Sequence, residues 1–296
     1  MKQLNLLLLC CAPALLLAQS TGKVLEGKTV KSAILGKDVR YTIYLPYDYA
    51  SSERSYPVTY LLHGYNEKTE DDTEWLRQGE INRYADQGIA SGAITPMIIV
   101  MPDADVSFYI NSYDGKSKYE DFFFKELIPA IEKTYRVKGE KRYRAIAGLS
   151  MGGHGTLLYA LKYPDIFVAA APFSAAVFTD EDMTTMPDDF WDTALAPLFG
   201  GGKLRGKERL TQTWYDNSIL KIIETKSKED LSKVKYWIDC GDDDFLIASN
   251  CELNIALNKK GVPHEFRIRQ GAHNWTYWRT GITDALQFIS DNFREK

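Results

Sequence analysis

Residues 145–155 read Ala-Ile-Ala-Gly-Leu-Ser-Met-Gly-Gly-His-Gly. Inside them, Gly148-Leu149-Ser150-Met151-Gly152 is a G-x-S-x-G. The apolar run Tyr143 to Ala147 leads in like a buried strand, and Gly153 to Tyr163 leads out with helical character. Strand, sharp turn and helix form the setting in which this pattern lifts a serine hydroxyl to the rim of a sheet. The reason is steric. The serine sits in a strained turn, and the residues two before and two after it crowd together, so both must lack a side chain. With 21 glycines in 296 residues, five letters alone decide little. The flanking elements and the partners downstream carry the reading.

Working outward, Val24 to Leu35 and Val39 to Leu45 read as a hairpin around Gly36-Lys37-Asp38. Pro57 to Leu62 is a short buried strand that ends at His63-Gly64. Residues 65–76 read as a polar loop, Ile81 to Ile89 as a helix, and Met97 to Met101 as a buried strand. Tyr119 to Tyr135 carries apolar residues at helical spacing. Beyond the elbow come a strand over Phe167 to Phe173, a strand at Tyr236-Trp237-Ile238 and a helix over Leu246 to Leu257. A strand over Glu265 to Ile268 and a terminal helix over Gly281 to Phe293 complete the chain. Strands alternating with helices predict an α/β fold: a mostly parallel central sheet with helices on both faces. One domain over residues 21–296 is expected. Residues 179–215, rich in Asp, Met, Trp and Gly, break the alternation; such an insertion serves as a lid over the site or as a surface excursion.

Composition bounds the partners. Apolar residues are 45%, charged residues 26% and the net charge is −4, which lacks the basic face of a nucleic-acid binder. Residues 1–20 read as a signal peptide: Lys2, then an apolar core from Leu4 to Leu17, then Ala18-Gln19-Ser20 as the cleavage site. No other segment is apolar enough to cross a membrane. Secretion or delivery to a periplasm is expected. Lipidation at Cys10 or Cys11 is disfavoured, because the apolar run continues past both. Export leaves Cys240 and Cys251, for which an oxidising compartment permits a bridge; two small buried thiols are the favoured reading. No metal site is expected, since these cysteines and four scattered histidines show no ligand spacing, and the acidic run near residue 242 lacks the spacing of a calcium loop.

A serine hydroxyl is a weak nucleophile and needs a base, itself oriented by a carboxylate. In sheets of this kind the order along the chain is serine, acid, histidine. His273, in Gly271-Ala272-His273-Asn274-Trp275, follows a strand's C-terminal end and is the favoured base. His264 reads as a surface residue, His154 as a packing or capping residue of the elbow helix, and His63 belongs to another role. Asp239, Asp242, Asp243 and Asp244 compete as the acid. Asp239 lies within a strand. Asp244 directly precedes an apolar helix start, where its side chain can turn inward, and is preferred over Asp242 and Asp243. Two backbone N–H groups are needed for a developing oxyanion; Met151, after the serine, and Tyr65, after Leu62-His63-Gly64, supply them.

The set L-L-H-G-Y at 61–65, G-L-S-M-G-G-H-G at 148–155, C-G-D-D-D-F-L at 240–246 and G-A-H-N-W-T-Y-W at 271–278 resembles the esterase D-like family. That family includes feruloyl and acetylxylan esterases of carbohydrate esterase family one, S-formylglutathione hydrolases and short-chain carboxylesterases. The resemblance runs from about Val39 to Phe293. It implies an α/β-hydrolase fold, no cofactor, and Ser150, Asp244 and His273 as the catalytic set. It also implies hydrolysis of a small-molecule ester or of an ester carried on a polysaccharide. Feruloyl or acetyl groups on plant polysaccharide suit an exported enzyme best. A general short-chain carboxylesterase and an acyltransferase are the alternatives, the second because mycolyltransferases share the fold. For the substrate, Trp275, Tyr277 and Trp278 follow the base and could stack on an aromatic acyl group or a sugar, with two of the three expected in core packing. Phe108, Tyr109 and Tyr113 lie on the side where a pocket should open, and Tyr109 is taken with Trp275 and Trp278 as substrate-binding.

Overall fold

The computed structural model describes residues 21–66 and 71–294; the signal-peptide reading and residues 67–70 of the polar loop lie outside them. Eight strands form one sheet in the order β1-β2-β4-β3-β5-β6-β7-β8. They are β1 (Lys23–Lys31), β2 (Asp38–Leu45), β3 (Val58–Leu62), β4 (Ile98–Pro102), β5 (Arg144–Leu149), β6 (Ala169–Phe173), β7 (Lys235–Gly241) and β8 (Glu265–Arg269). β1 and β2 pair antiparallel, as do β2 and β4. From β4 across to β8 every pairing is parallel.

The central strands are apolar runs because helices cover both faces. Alternation assigns each residue its side: Tyr60, Leu62, Ile98, Val100 and Ile146 enter one core, while Leu61, Ile99, Ala145 and Ala147 enter the other. Helices α1 (Ile81–Ala90) and α5 (Trp275–Arg294) pack on the second face. The first face takes α2, which runs Tyr119–Phe122, Phe123–Leu127 with π geometry, and Ile128–Thr134. It also takes α3 (Met151–Lys162) and α4 (Ile247–Lys260).

Two boundaries differ most from the sequence reading. The first strand stops at Lys31 and the chain loops over 32–37, closed by the Ser32 N–H donating to the Lys37 carbonyl across 3.0 Å. The terminal helix begins at Trp275 instead of Gly281. Asn274 is the reason: its Oδ1 accepts the Tyr277 N–H at 3.0 Å and caps a first turn whose aromatic run shows no helical period. Cys240 and Cys251 are free thiols, the first buried and the second half-buried.

Residues 179–215 are no loose excursion. They fold into short helices, Asp180–Thr185, Asp188–Phe190, Ala196–Phe199 and, running on, Gln212–Asn217. Trp191, Phe199 and Trp214 are buried in the larger core. Arg209, also buried, lies over the Trp191 ring at 5.3 Å, donates to the Met186 carbonyl at 2.7 Å and pairs with Asp188. Through these rings and bonds the segment packs as a wall onto the larger core.

Candidate functional site

Because β3 to β8 run parallel, their C-terminal ends lie along one rim, and open α/β sheets bind ligands there. His63, Ser150, Ser174, Asp244 and His273 all lie just beyond strand ends on this rim.

Ser150 joins β5 to α3 at φ 54°, ψ −117°, a conformation that costs an L-residue. The surrounding structure imposes it. A side chain at Gly148 would place its Cβ 2.6 Å from the Gly152 carbonyl oxygen, and one at Gly152 would lie 2.4 Å from that of Leu62. The turn is tied to β6 as well. The Ser150 N–H donates to the Phe173 carbonyl, and the Ser150 carbonyl accepts from His154 and Ala176, each at 3.0 Å. Met151 starts α3, so its N–H has no intrahelical acceptor and points out with the positive end of the helix dipole.

The structure brings Ser150, His273 and Asp244 together. His273 Nε2 lies 2.9 Å from Ser150 Oγ, and Nδ1 lies 2.9 Å and 3.0 Å from the two Asp244 oxygens. The Asp244 side chain is buried, whereas Asp242 and Asp243 are exposed. Burial alone would raise the Asp244 pKa. Hydrogen bonds from His273, the Leu246 N–H and the Ser174 hydroxyl outweigh it and hold the carboxyl below its usual range. The competing aspartates are otherwise engaged. Asp239 pairs with Arg269 at 2.8 Å and accepts from the Tyr277 hydroxyl, and Asp242 accepts the Gly271 N–H at 2.8 Å.

The loop after β3 passes against the serine: a Cβ at Gly64 would lie 3.5 Å from Ser150 Cβ. This loop is held at three successive carbonyls. Trp75 Nε1 donates to Leu62 at 2.9 Å, the Tyr109 hydroxyl to His63 at 3.0 Å, and His63 Nδ1 to Gly64 at 2.7 Å. His63 Nε2 accepts the Ala104 N–H at 2.8 Å. That fixes the proton on Nδ1, and burial lowers the pKa and keeps the ring neutral. Tyr65 follows, half-buried beside Phe108 with ring centroids 6.1 Å apart.

Two substrate-binding expectations are corrected. Tyr109 is fully buried. Phe108 and Tyr109 both take positive φ (48° and 61°), which turns the chain inward, and the bare Cα of Gly155 admits the Tyr109 ring against α3. Trp278 is buried too; its Nε1 donates to Ser174 Oγ at 3.0 Å and its ring backs the His273 imidazole. Only Trp275 stays half-exposed, edge-on to Trp75 and Trp278. His264 and His154 stand apart from the hydroxyl. His264 bonds Asn254 and the Val262 carbonyl, and His154, buried, bonds the Ala176 carbonyl. The sequence reading missed Ser174, which carries no motif, and Phe245, which is 75% exposed and whose ring lies 4.6 Å from the His273 imidazole, tilted to it by 48°. An exposed Phe next to the acid is a signal only once the histidine's position is known.

Among the described residues no group of His, Cys, Asp or Glu could hold a metal ion, and no helix is long and apolar enough to cross a membrane.

Comparison with known proteins agrees with this architecture. A solved ferulic acid esterase superposes with TM-score 0.79 at 35% identity, covering 92% of this chain and 99% of its own. An esterase of Mycobacterium tuberculosis is 30% identical over 257 residues, 82% of this chain and 54% of that protein. An acetyl esterase of Caldicellulosiruptor saccharolyticus is 26% identical over 232 residues, 78% of this chain and 82% of that protein. The chain thus spans about half the length of the first of these curated relatives. The Esterase family model matches residues 32–289. With an α/β-hydrolase fold and that match over most of its length, the chain belongs to the Esterase family.

Proposed function

We propose that the chain is a serine carboxylic-ester hydrolase, exported by its N-terminal segment, that removes feruloyl or acetyl groups from plant polysaccharide. The observation that carries the reading is the His273 imidazole, bonded on one side to a buried carboxylate and on the other to the hydroxyl of a strained serine. Ser150 Oγ gives its proton to His273 Nε2 and attacks the ester carbonyl. The oxyanion is received by the N–H groups of Met151 and Tyr65. His273 then protonates the departing alcohol and, in the second half, takes a proton from water as it attacks the acyl-serine; it returns that proton to Ser150 Oγ as the acyl–oxygen bond breaks and the carboxylic acid leaves. Asp244 keeps the His273 proton on Nδ1 and stabilises the imidazolium. No cofactor enters these steps. The acyl preference draws on the ferulic acid esterase and acetyl esterase relatives.

The test is a side-by-side assay of methyl ferulate, acetylated xylan and 4-nitrophenyl butyrate, with fluorophosphonate labelling. Turnover of the first or second, with an adduct on Ser150, supports the reading. Turnover of the butyrate alone makes the enzyme a general short-chain carboxylesterase, and absence of an adduct on folded protein removes the catalytic role.

A further inference from the structure

Beside the triad lies an open groove of about 310 Å³ between the wall segment and the start of α4. Its apolar lining includes Phe178, Met186, Phe190 and Phe245, and Asp182 and Thr185 stand among them. Two of these rings are exposed to an unusual degree, Phe245 at 75% and Phe190 at 40%. Large aromatic faces left in water at the mouth of a site mark a ligand-binding surface more often than chance exposure. One side of the groove is braced by local hydrogen bonds. Asp182 closes a capping box with Thr179, and its carboxylate accepts that residue's N–H and hydroxyl. Thr185, exposed, donates to the Glu181 carbonyl at 2.8 Å, and its oxygen can still accept.

We propose that this groove is the leaving-alcohol subsite and that it takes a sugar ring, stacked on Phe245 and Phe190. The inference rests on the hydrolase reading above and adds the side and the chemistry. The side follows from stereochemistry. Of the four groups on the tetrahedral carbon, the negative oxygen turns to Met151 and Tyr65, and the leaving oxygen must reach His273 Nε2 to be protonated. Phe245 lies against that same imidazole at 4.6 Å, so the groove begins where the alcohol departs. The chemistry follows from the lining. A pyranose presents flat C–H faces and a rim of hydroxyl donors. The groove presents exposed aromatic faces with carboxylate and hydroxyl acceptors between them, and it is open along its length, as a chain longer than the site requires.

The experiment compares wild type with Phe190→Ala and Phe245→Ala on three esters: an acetylated xylo-oligosaccharide, methyl ferulate and 4-nitrophenyl acetate. The expected result for both variants is a fall in kcat/KM on the oligosaccharide at least tenfold larger than on 4-nitrophenyl acetate, carried mostly by KM. Phe190 does not touch the triad, so its variant separates stacking from any disturbance of His273. If wild type turns over the oligosaccharide and Phe190→Ala does so equally well, the subsite is wrong and the hydrolase reading stands. If the selective loss falls on methyl ferulate, whose alcohol is only methanol, the groove holds the acyl group and the assignment of side is overturned. If wild type labels at Ser150 yet hydrolyses no sugar ester, the sugar and the polysaccharide reading fall together.

Discussion

Trp278 stands edge-on to the His273 imidazole, with ring centroids 4.9 Å apart and planes at 87°. The indole cannot turn away, because its N–H is spent on Ser174 Oγ, and the Ser174 hydroxyl in turn bonds Asp244. One buried ring therefore braces the imidazole directly and its carboxylate partner through a serine. Trp278→Phe keeps most of the packing and removes the donor. We expect kcat to fall about tenfold, the scale of one lost net hydrogen bond, with KM nearly unchanged. A raised KM at constant kcat would instead place Trp278 on the substrate.

Among the carboxylates of the described residues, only Asp244 is both buried and within reach of His273 Nδ1. Asp244→Asn should lower kcat by about 10⁴-fold, because an amide no longer holds the required tautomer. Asp242→Asn, at an exposed oxygen that accepts one backbone N–H, should cost less than about fivefold, within the range of a single surface hydrogen bond. Steady-state rates on 4-nitrophenyl acetate compare the two, and the reverse order would reassign the acid.

The φ of 54° at Ser150 makes a separate prediction about stability. Strain of this kind costs on the order of 1–3 kcal/mol and glycine is exempt from it, although glycine loses more backbone entropy on folding. Ser150→Gly should be inactive yet more stable than Ser150→Ala by about 1 kcal/mol in urea unfolding. Equal stabilities would mean that the elbow carries no strain.

His154 is buried against Phe108 with one ring nitrogen unpartnered, and desolvation lowers its pKa to about 4. An unfolded histidine titrates near 6.5. Between these values the unfolded chain binds the extra proton, so stability rises with pH across the window and falls on acidification through it. The loss should approach about 3 kcal/mol by pH 4. His154→Asn can still donate to the Ala176 carbonyl and should flatten the pH dependence of Tm between pH 4 and 6.5. An unchanged slope would assign the acid sensitivity to other groups, His63 first.

Much of this was legible along the chain. Buried strands declare themselves as apolar runs, and the elbow declares itself because only glycine survives at positions 148 and 152, where a Cβ would meet carbonyl oxygens. His273 and Asp244 were reachable because strand ends are visible in sequence and a sheet of parallel strands must gather them on one rim. The start of α5 was missed, since an asparagine cap and a run of aromatics carry no periodic signal.

The sequence by itself determined the sheet and pointed to Ser150 at the elbow with His273 and Asp244 as its preferred partners, because these follow from local pattern and strand polarity. Only the tertiary structure decided which aromatic side chains face water. Tyr109 and Trp278 went inside, drawn by the His63 carbonyl and the Ser174 hydroxyl, while Phe245 stayed out over His273. The physical reason is that a ring's exposure depends on where distant polar atoms and bare glycine backbones come to lie, and those positions are set by the packing of the whole sheet and not by the residues beside it.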